Sequence, residues 1–424
     1  MRDFKRTNLK NGLRLIMVPR AGGLAVTLLV LVEAGSKYET RETNGLSHFL
    51  EHMCFKGTTK RPRTIDISKE LDGIGAEYNA FTGQEYTGYY VKAEAHHFDQ
   101  IADVLSDIYI NPTFDPREIE KEKGVIIEEI NMYEDLPMQR VHEHFDRLLY
   151  GDQPAGWEIG GQKEVIRRLT RQDFLKYRRE HYVAGATIVV LAGAFNRVKA
   201  AKILSRLFAG IPASSKFGKV KTKEQQEKPE IMVKHKESDQ THLVLGCRAF
   251  SVFDQRRYVL DVLSDILGGG MSSRLWQRVR EELGAAYYVN AGPSLFSDHG
   301  YWAVSAGVDH NKLEVVVGVI LEELRKMATQ SVAEEELRQA KDHLIGRLIL
   351  SLETSDKLAF FYGGQEVALR SLLSPEQMIK KIKTVKSHHL RDLAHEIFQN
   401  KKLNLALIGP FKEEERLRKI LRFA

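Results

Sequence analysis

The chain opens with short apolar runs and then turns to amphipathic stretches. Leu13 to Val18 follows the turn signal Asn11-Gly12 and reads as a strand, and Leu24 to Val32 reads as a second. A helical period predicts helices from about Asn44 to Phe55 and from Ile65 to Ile74, the latter closed by Gly75. Tyr78 to Phe81 and Thr87 to Val91 read as paired strands around a Gly-Gln turn. Long helices follow from Phe98 to Ile110 and from Pro116 to Tyr133. Strands come in runs, with helices between them and no strict β-α-β alternation. The expected class is α+β, a mainly antiparallel sheet with helices packed on it.

The pattern then repeats. Residues 186–195, Ala-Thr-Ile-Val-Val-Leu-Ala-Gly-Ala-Phe, resemble residues 402–411, Lys-Leu-Asn-Leu-Ala-Leu-Ile-Gly-Pro-Phe. An offset of 216 pairs Gly193 with Gly409, Phe174 with Leu390, Tyr177 with Leu393 and Tyr182 with Phe398. Near the same offset, the helix opening at Phe114-Asp-Pro-Arg-Glu118-Ile119 matches Val332-Ala-Glu-Glu-Glu336-Leu337. Two homologous halves are expected: residues 1–213, a linker at 214–230 rich in Lys, Glu and Gln, and residues 231–424.

Composition narrows the function classes. With 43% hydrophobic and 28% charged residues, the chain of 424 residues has enough apolar surface to fold, which excludes a largely disordered protein. Two cysteines exclude a disulfide scaffold and suit a reducing compartment. The net charge of +6 is mild, and the densest basic stretch, Lys216 to Lys228, is interleaved with Glu and Gln, so no nucleic-acid partner is expected. The charged start Met1-Arg2-Asp3-Phe4-Lys5-Arg6 lacks an apolar export core, and no apolar run reaches the roughly 20 residues of a membrane span. The expectation is a cytoplasmic protein with no membrane partner.

The sharpest motif is Gly45-Leu-Ser-His48-Phe-Leu-Glu51-His52. On a helix, positions i and i+4 lie one turn apart on one face, so His48 and His52 can offer two imidazoles to one metal ion. Glu51 flanks that face and can stand beside a metal-bound water without ligating the metal. A catalytic zinc takes three protein ligands and keeps a fourth position open. Candidates for the third lie in the acidic helix that contains Glu122, Glu128 and Glu129. Glu122 and Glu129 are two turns apart on one face, with Val125 and Ile126 between them. Spacing alone does not choose between Glu128 and Glu129. Cys54 is expected in the core rather than at the metal. The pairs His142/His144, His96/His97 and His388/His389 are poorly spaced for a shared ion, and Gly268-Gly-Gly270 reads as a flexible joint.

At this point the sequence resembles the pitrilysin/insulinase metallopeptidases, the group that includes the mitochondrial processing peptidase, in their bacterial-type short form. The resemblance rests on Gly-Leu-Ser-His48-Phe-Leu-Glu51-His52-Met-Cys-Phe-Lys-Gly57-Thr58 and on Asn79-Ala80-Phe81-Thr82. It continues through Glu122-Lys-Gly-Val-Ile-Ile-Glu-Glu129-Ile and through Ser272-Ser-Arg-Leu, Arg280-Glu-Glu-Leu-Gly284 and Tyr287. It implies a zinc endopeptidase with one Zn2+ per chain, held by His48, His52 and Glu129, the last placed 77 positions after His52 as in the family. Glu51 would be the general base and Glu122 the carboxylate that orients a histidine. From the second half, Arg280 and Tyr287 would approach the substrate, with Arg278 and Tyr288 as rivals. The strand Asn79 to Thr82 would bind the substrate, a short or unfolded extended polypeptide. The resemblance further implies a dimer, expected to be of identical chains. Its alternative is a catalytically silent assembly subunit, since some relatives serve as core subunits of respiratory complexes.

Overall fold

The computed structural model describes residues 4–412 and 414–423. The first sheet has six strands: β1 (Lys5–Asn8), β2 (Arg14–Pro19), β3 (Ala25–Val32), β4 (Glu77–Thr82), β5 (Thr87–Glu94) and β6 (Thr187–Gly193). Their order is β1-β2-β6-β3-β5-β4, and every neighbouring pair is antiparallel except β2 with β6. The second sheet has five: β7 (Glu230–His235), β8 (Thr241–Arg248), β9 (Ala286–Leu295), β10 (Gly300–Val308) and β11 (Leu403–Gly409). Its order is β7-β11-β8-β10-β9, again with one parallel pair, β7 with β11. Strands β2, β3 and β6 become β7, β8 and β11 on adding 216 to each residue number. The duplicated, mainly antiparallel halves expected from the sequence are thus present. In the first sheet the strand not expected is β1, whose residues are polar and mostly exposed. It is an edge strand joined to β2 by main-chain pairing, so no apolar alternation announces it.

β6 and β11 are buried along their whole length, because both sheet faces are covered. The cover crosses the linear division expected from the sequence. Helix Pro137–Tyr150 packs on β7, β8 and β11, where Val141, Phe145 and Leu149 meet Val244, Ala406 and Ile408. Helix Ser355–Leu369, 218 residues further on, packs on β2, β3 and β6. A Cβ at its Gly363 would press on Leu31, Leu29 and Val190, so the missing side chain sets the approach. Ser355 Oγ lies 2.8 Å from Thr27 Oγ1, and Glu366 accepts from Arg14 at 3.2 Å. One compact unit therefore comprises residues 1–131, 157–220 and 350–372, and the other comprises 132–156, 221–349 and 373–424. The polar 214–230 run is strapped down: Lys216 pairs with Glu33 and Lys219 with Glu85, while Thr222 N–H donates to Asp298.

Burial on the Pro137–Tyr150 helix has a thermodynamic consequence. Asp146 is partly exposed as a residue but its Oδ1 is buried, and burial lifts its carboxyl to about 7 against the lowering effect of a hydrogen bond from Tyr301. The folded chain keeps this proton where the unfolded chain, with an ordinary Asp near 3.8, has lost it. Stability is therefore expected to fall as pH rises from about 4 to about 7 and to level off above. Asp146→Asn should remove a fall of about 4 kcal/mol across that range. Urea unfolding of both proteins at about pH 5 and about pH 8 checks this.

Candidate metal centre

Helix Leu46–Cys54 carries the motif. Leu46, Phe49, Leu50, Met53 and Cys54 are almost fully buried in the core of the first unit, which turns His48, Glu51 and His52 to the other side. Gly45, at its start, has φ 96°, and a Cβ there would meet Gly160 O at 2.7 Å and Ile166 Cδ1 at 2.8 Å, so only glycine fits. Glycine has no side chain with which to cap the helix. The buried Glu39 does so instead, accepting from Gly45 N–H at 2.8 Å, Ser47 N–H at 2.6 Å and Asn44 Nδ2 at 3.1 Å. Burial lifts its carboxyl to about 7, against the pull of those hydrogen bonds.

The second helix, Pro116–Glu134, buries Ile119, Glu122, Ile126 and Ile130. Glu129 stands beside this stripe and reaches both imidazoles. Its Oε2 is 3.7 Å from His48 Nε2 and 3.6 Å from His52 Nε2. Glu128, the alternative that spacing left open, is exposed. Val125 is half exposed and does not share the buried face with Ile126, contrary to expectation, because the stripe there is narrow. Glu122 accepts from His52 Nδ1 at 2.9 Å, which leaves the Nε2 lone pair free. Its other oxygen is 2.6 Å from Lys56 Nζ. Burial pushes Glu122 up, but the hydrogen bonds from His52 and Lys56 outweigh it and hold the group below the usual carboxylate range. His48 is pushed down to about 4, chiefly by burial and then by His52, so its ring is neutral.

Two imidazole nitrogens and one carboxylate oxygen form a zinc donor set. A tetrahedral ion with bonds of about 2.0–2.1 Å needs its donors roughly 3.4 Å apart; the two carboxylate-to-imidazole separations lie within a few tenths of that, and all three donor atoms lie within 4.8 Å of one another. The residues therefore fit the ion. Among the described residues a second trio, Glu94, His96 and His97, also gathers its donor atoms within 4.8 Å, although sequence spacing passes over its adjacent histidines. It is largely exposed and stands at the start of helix Phe98–Ile110, where the helix dipole disfavours a cation. The His48 trio is the better candidate.

Glu51 is buried beside the trio, and its pKa is raised, chiefly by burial. Thr82 donates to Glu51 Oε2 at 2.5 Å. Within β4, Ala80 and Thr82 share one face and Asn79 and Phe81 the other. Phe81 lies over Gly88, where a Cβ would meet its ring at 2.3 Å, and also meets Phe360 at 5.7 Å between centroids. The exposed Ala80 N–H donates to Asn79 Oδ1 at 2.8 Å. β4 forms an edge of its sheet.

Arg280 and Tyr287 belong to the second unit and lie together there. The Arg280 guanidinium donates to Tyr287 O and sits over the rings of Trp276, at 4.5 Å, and Tyr287, at 5.5 Å. Tyr287 is 72% exposed. Their rivals are engaged elsewhere: Arg278 pairs with Glu282, Glu322 and Glu323, and Tyr288 Oη lies 3.1 Å from His242 Nδ1. Cys54 is buried in the core, 3.6 Å from Tyr89 Oη. Sequence reasoning missed Glu39, which no spacing rule connects to the helix. It also missed a role for Lys56, although the i+4 step from His52 was there to read.

The insulinase (peptidase family M16) model matches residues 16–163, and the model described as the peptidase M16 inactive domain matches residues 168–344. The chain belongs to the M16 peptidase family. A Bacillus subtilis relative named "uncharacterized zinc protease YmxG" is 35% identical over 412 residues, spanning 96% of this chain and 98% of its own length. A Rickettsia felis protein, also called an uncharacterized zinc protease, is 35% identical over 411 residues, with the same two coverages. Among solved structures, a Helicobacter pylori protease superposes with a TM-score of 0.89 at 22% identity, covering 97% of this chain and all of its own. A Pseudomonas fluorescens peptidase M16 inactive domain does so with a TM-score of 0.89 at 18% identity, covering 97% and 99%. These two likenesses are of fold. The candidate trio of His48, His52 and Glu129 lies in the half that matches the insulinase model, and among the described residues no such cluster lies in the other.

The cap at Glu39 makes a prediction. Glu39→Ala leaves the Gly45 and Ser47 N–H groups buried without acceptors, at a cost of about 1–3 kcal/mol. The expected result is a lowered melting temperature together with weaker metal retention, read by thermal denaturation and metal analysis.

Proposed function

We propose that this M16 chain is a zinc endopeptidase acting on short or unfolded polypeptides, with one Zn2+ held by His48, His52 and Glu129. The observation that carries this reading is the approach of two imidazole nitrogens and one carboxylate oxygen to a common point, with the buried Glu51 beside them. Bound zinc supplies a Lewis acid that makes water far easier to deprotonate. Glu51 takes the proton from the attacking water and returns it to the departing amine. Thr82 holds one Glu51 oxygen, which leaves the other for this exchange. Glu122 keeps His52 in the tautomer that presents Nε2.

An extended substrate would add to the free edge of β4 by main-chain pairing, exchanging with the Asn79 carboxamide for the Ala80 N–H. Such binding reads little sequence and requires an unfolded segment. Tyr287, with its ring exposed, would donate to the developing oxyanion, and Arg280 would hold a substrate carbonyl. We further propose a homodimer in which zinc residues of one subunit work with Arg280 and Tyr287 of the other. Cytoplasmic residence accords with the two free, buried cysteines, and no helix among the described residues is long and apolar enough to cross a membrane. The silent-subunit reading needs a damaged motif, and this chain keeps His48, Glu51, His52, Glu122 and Glu129.

Glu51→Gln is expected to retain zinc and lose peptide hydrolysis by about two to four orders of magnitude, while His52→Ala loses the metal as well. Metal analysis and a quenched-peptide assay measure both; near-normal turnover in Glu51→Gln would remove the base from its role. The shared site is tested by mixing Glu51→Gln with Tyr287→Phe subunits. Half of the dimers would be mixed, each with one intact site, so roughly a quarter of all sites should regain activity. No gain after confirmed subunit exchange would refute it.

A further inference from the structure

Glu122 has two oxygens and two partners. Oε1 faces His52 Nδ1 at 2.9 Å, and Oε2 faces Lys56 Nζ at 2.6 Å. Lys56 lies four residues after His52, just beyond the helix end at Cys54. The turn persists there, since Phe55 N–H bonds to His52 O at 3.0 Å and Lys56 N–H to Met53 O at 3.2 Å. Lys56 is therefore held one turn from His52, on the same side, and the carboxylate is gripped between them. The Glu122 side chain is only 5% exposed and that of Lys56 24%, so this is no loose surface pair. Among the described residues Lys56 forms an ion pair with no other carboxylate.

A carboxylate held by one oxygen can pivot about its last bond, and a buried one has little water to steady the free oxygen. An imidazole ring follows the partner that holds its second nitrogen. We propose that Lys56 is a positioning residue of the metal centre: by fixing one oxygen of Glu122 it aims the other at His52 Nδ1, and so keeps His52 Nε2 pointed at the ion. The inference rests on the reading that His48, His52 and Glu129 hold zinc. It makes the ligand His52 and the positioning Lys56 parts of one continuous turn, joined through a carboxylate from a different helix.

The test uses the full-length protein and zinc alone. Metal-free protein is titrated with zinc against a competing chromophoric chelator. Lys56→Met, which keeps length and removes charge, should weaken zinc binding at least about tenfold. Lys56→Arg should recover most of the loss, and the metal-free melting temperature of Lys56→Met should stay within a few degrees of the parent. In a Glu122→Gln background, Lys56→Met should add little, because no carboxylate remains to be oriented. Should Lys56→Met fail to fold, Lys56→Gln against Lys56→Arg makes the same comparison. A charge-free variant that binds zinc as tightly as the parent, or independent effects of the two substitutions, would overturn the role of Lys56. A parent that binds no zinc would instead overturn the metal reading, and this inference with it.

Discussion

A helix of nine residues does not hold itself together in water, because its few internal hydrogen bonds barely exceed the cost of nucleation. The register of Leu46–Cys54 must be imposed from outside. Its inner face is fixed by Phe49, Leu50 and Met53 in the core, and its first turn by the Glu39 carboxylate, which takes the orphan N–H groups that Gly45 cannot serve. Rotation of this short cylinder by a fraction of a turn would carry His48 and His52 away from Glu129. The distances within the trio of His48, His52 and Glu129 descend from that anchoring.

The outer face is fixed by partners reaching in from other elements. Glu122 and Glu129 come from one long helix, two turns apart, one meeting His52 Nδ1 and the other standing near Nε2 of both histidines. Thr82 comes from the edge strand and touches Glu51. The second half repeats most of this sheet but, among the described residues, not this face. At the shared offset His48 becomes Ser264, a buried hydroxyl that donates to Leu260 O and accepts from Trp302 Nε1 at 2.8 Å. In one copy of the fold this helix carries two residues of the candidate metal trio, and in the other the position equivalent to His48 is taken up by packing.

Much of this was legible in the sequence, because it depends on local period. The i, i+3 and i+4 spacing of His48, Glu51 and His52 is a property of helices, and the fixed 216 offset of the duplication survives in strand after strand. What the sequence hid depends on long-range placement. Nothing along the chain links Glu39 to the Ser47 N–H, and nothing distinguishes Thr82 as a partner of Glu51 from Phe81, which turns to the opposite sheet face. β1 escaped because an edge strand can be held by its backbone alone. The run at 214–230 reads as a linker by composition, but two of its five lysines, Lys216 and Lys219, are spent on Glu33 and Glu85.

The crossing of the two covering helices bears on how such a chain could arise. Pro137–Tyr150 and Ser355–Leu369 stand 218 residues apart and occupy equivalent places, each on the sheet of the opposite half. A half-length ancestor with this topology would leave one apolar sheet face bare unless a second copy lent its helix. It would have been a pair of intertwined chains, stable only at concentrations that kept the pair together. Joining the copies end to end makes the exchange intramolecular and removes that dependence on concentration. It also leaves the two copies free to diverge, as they have at His48 and Ser264.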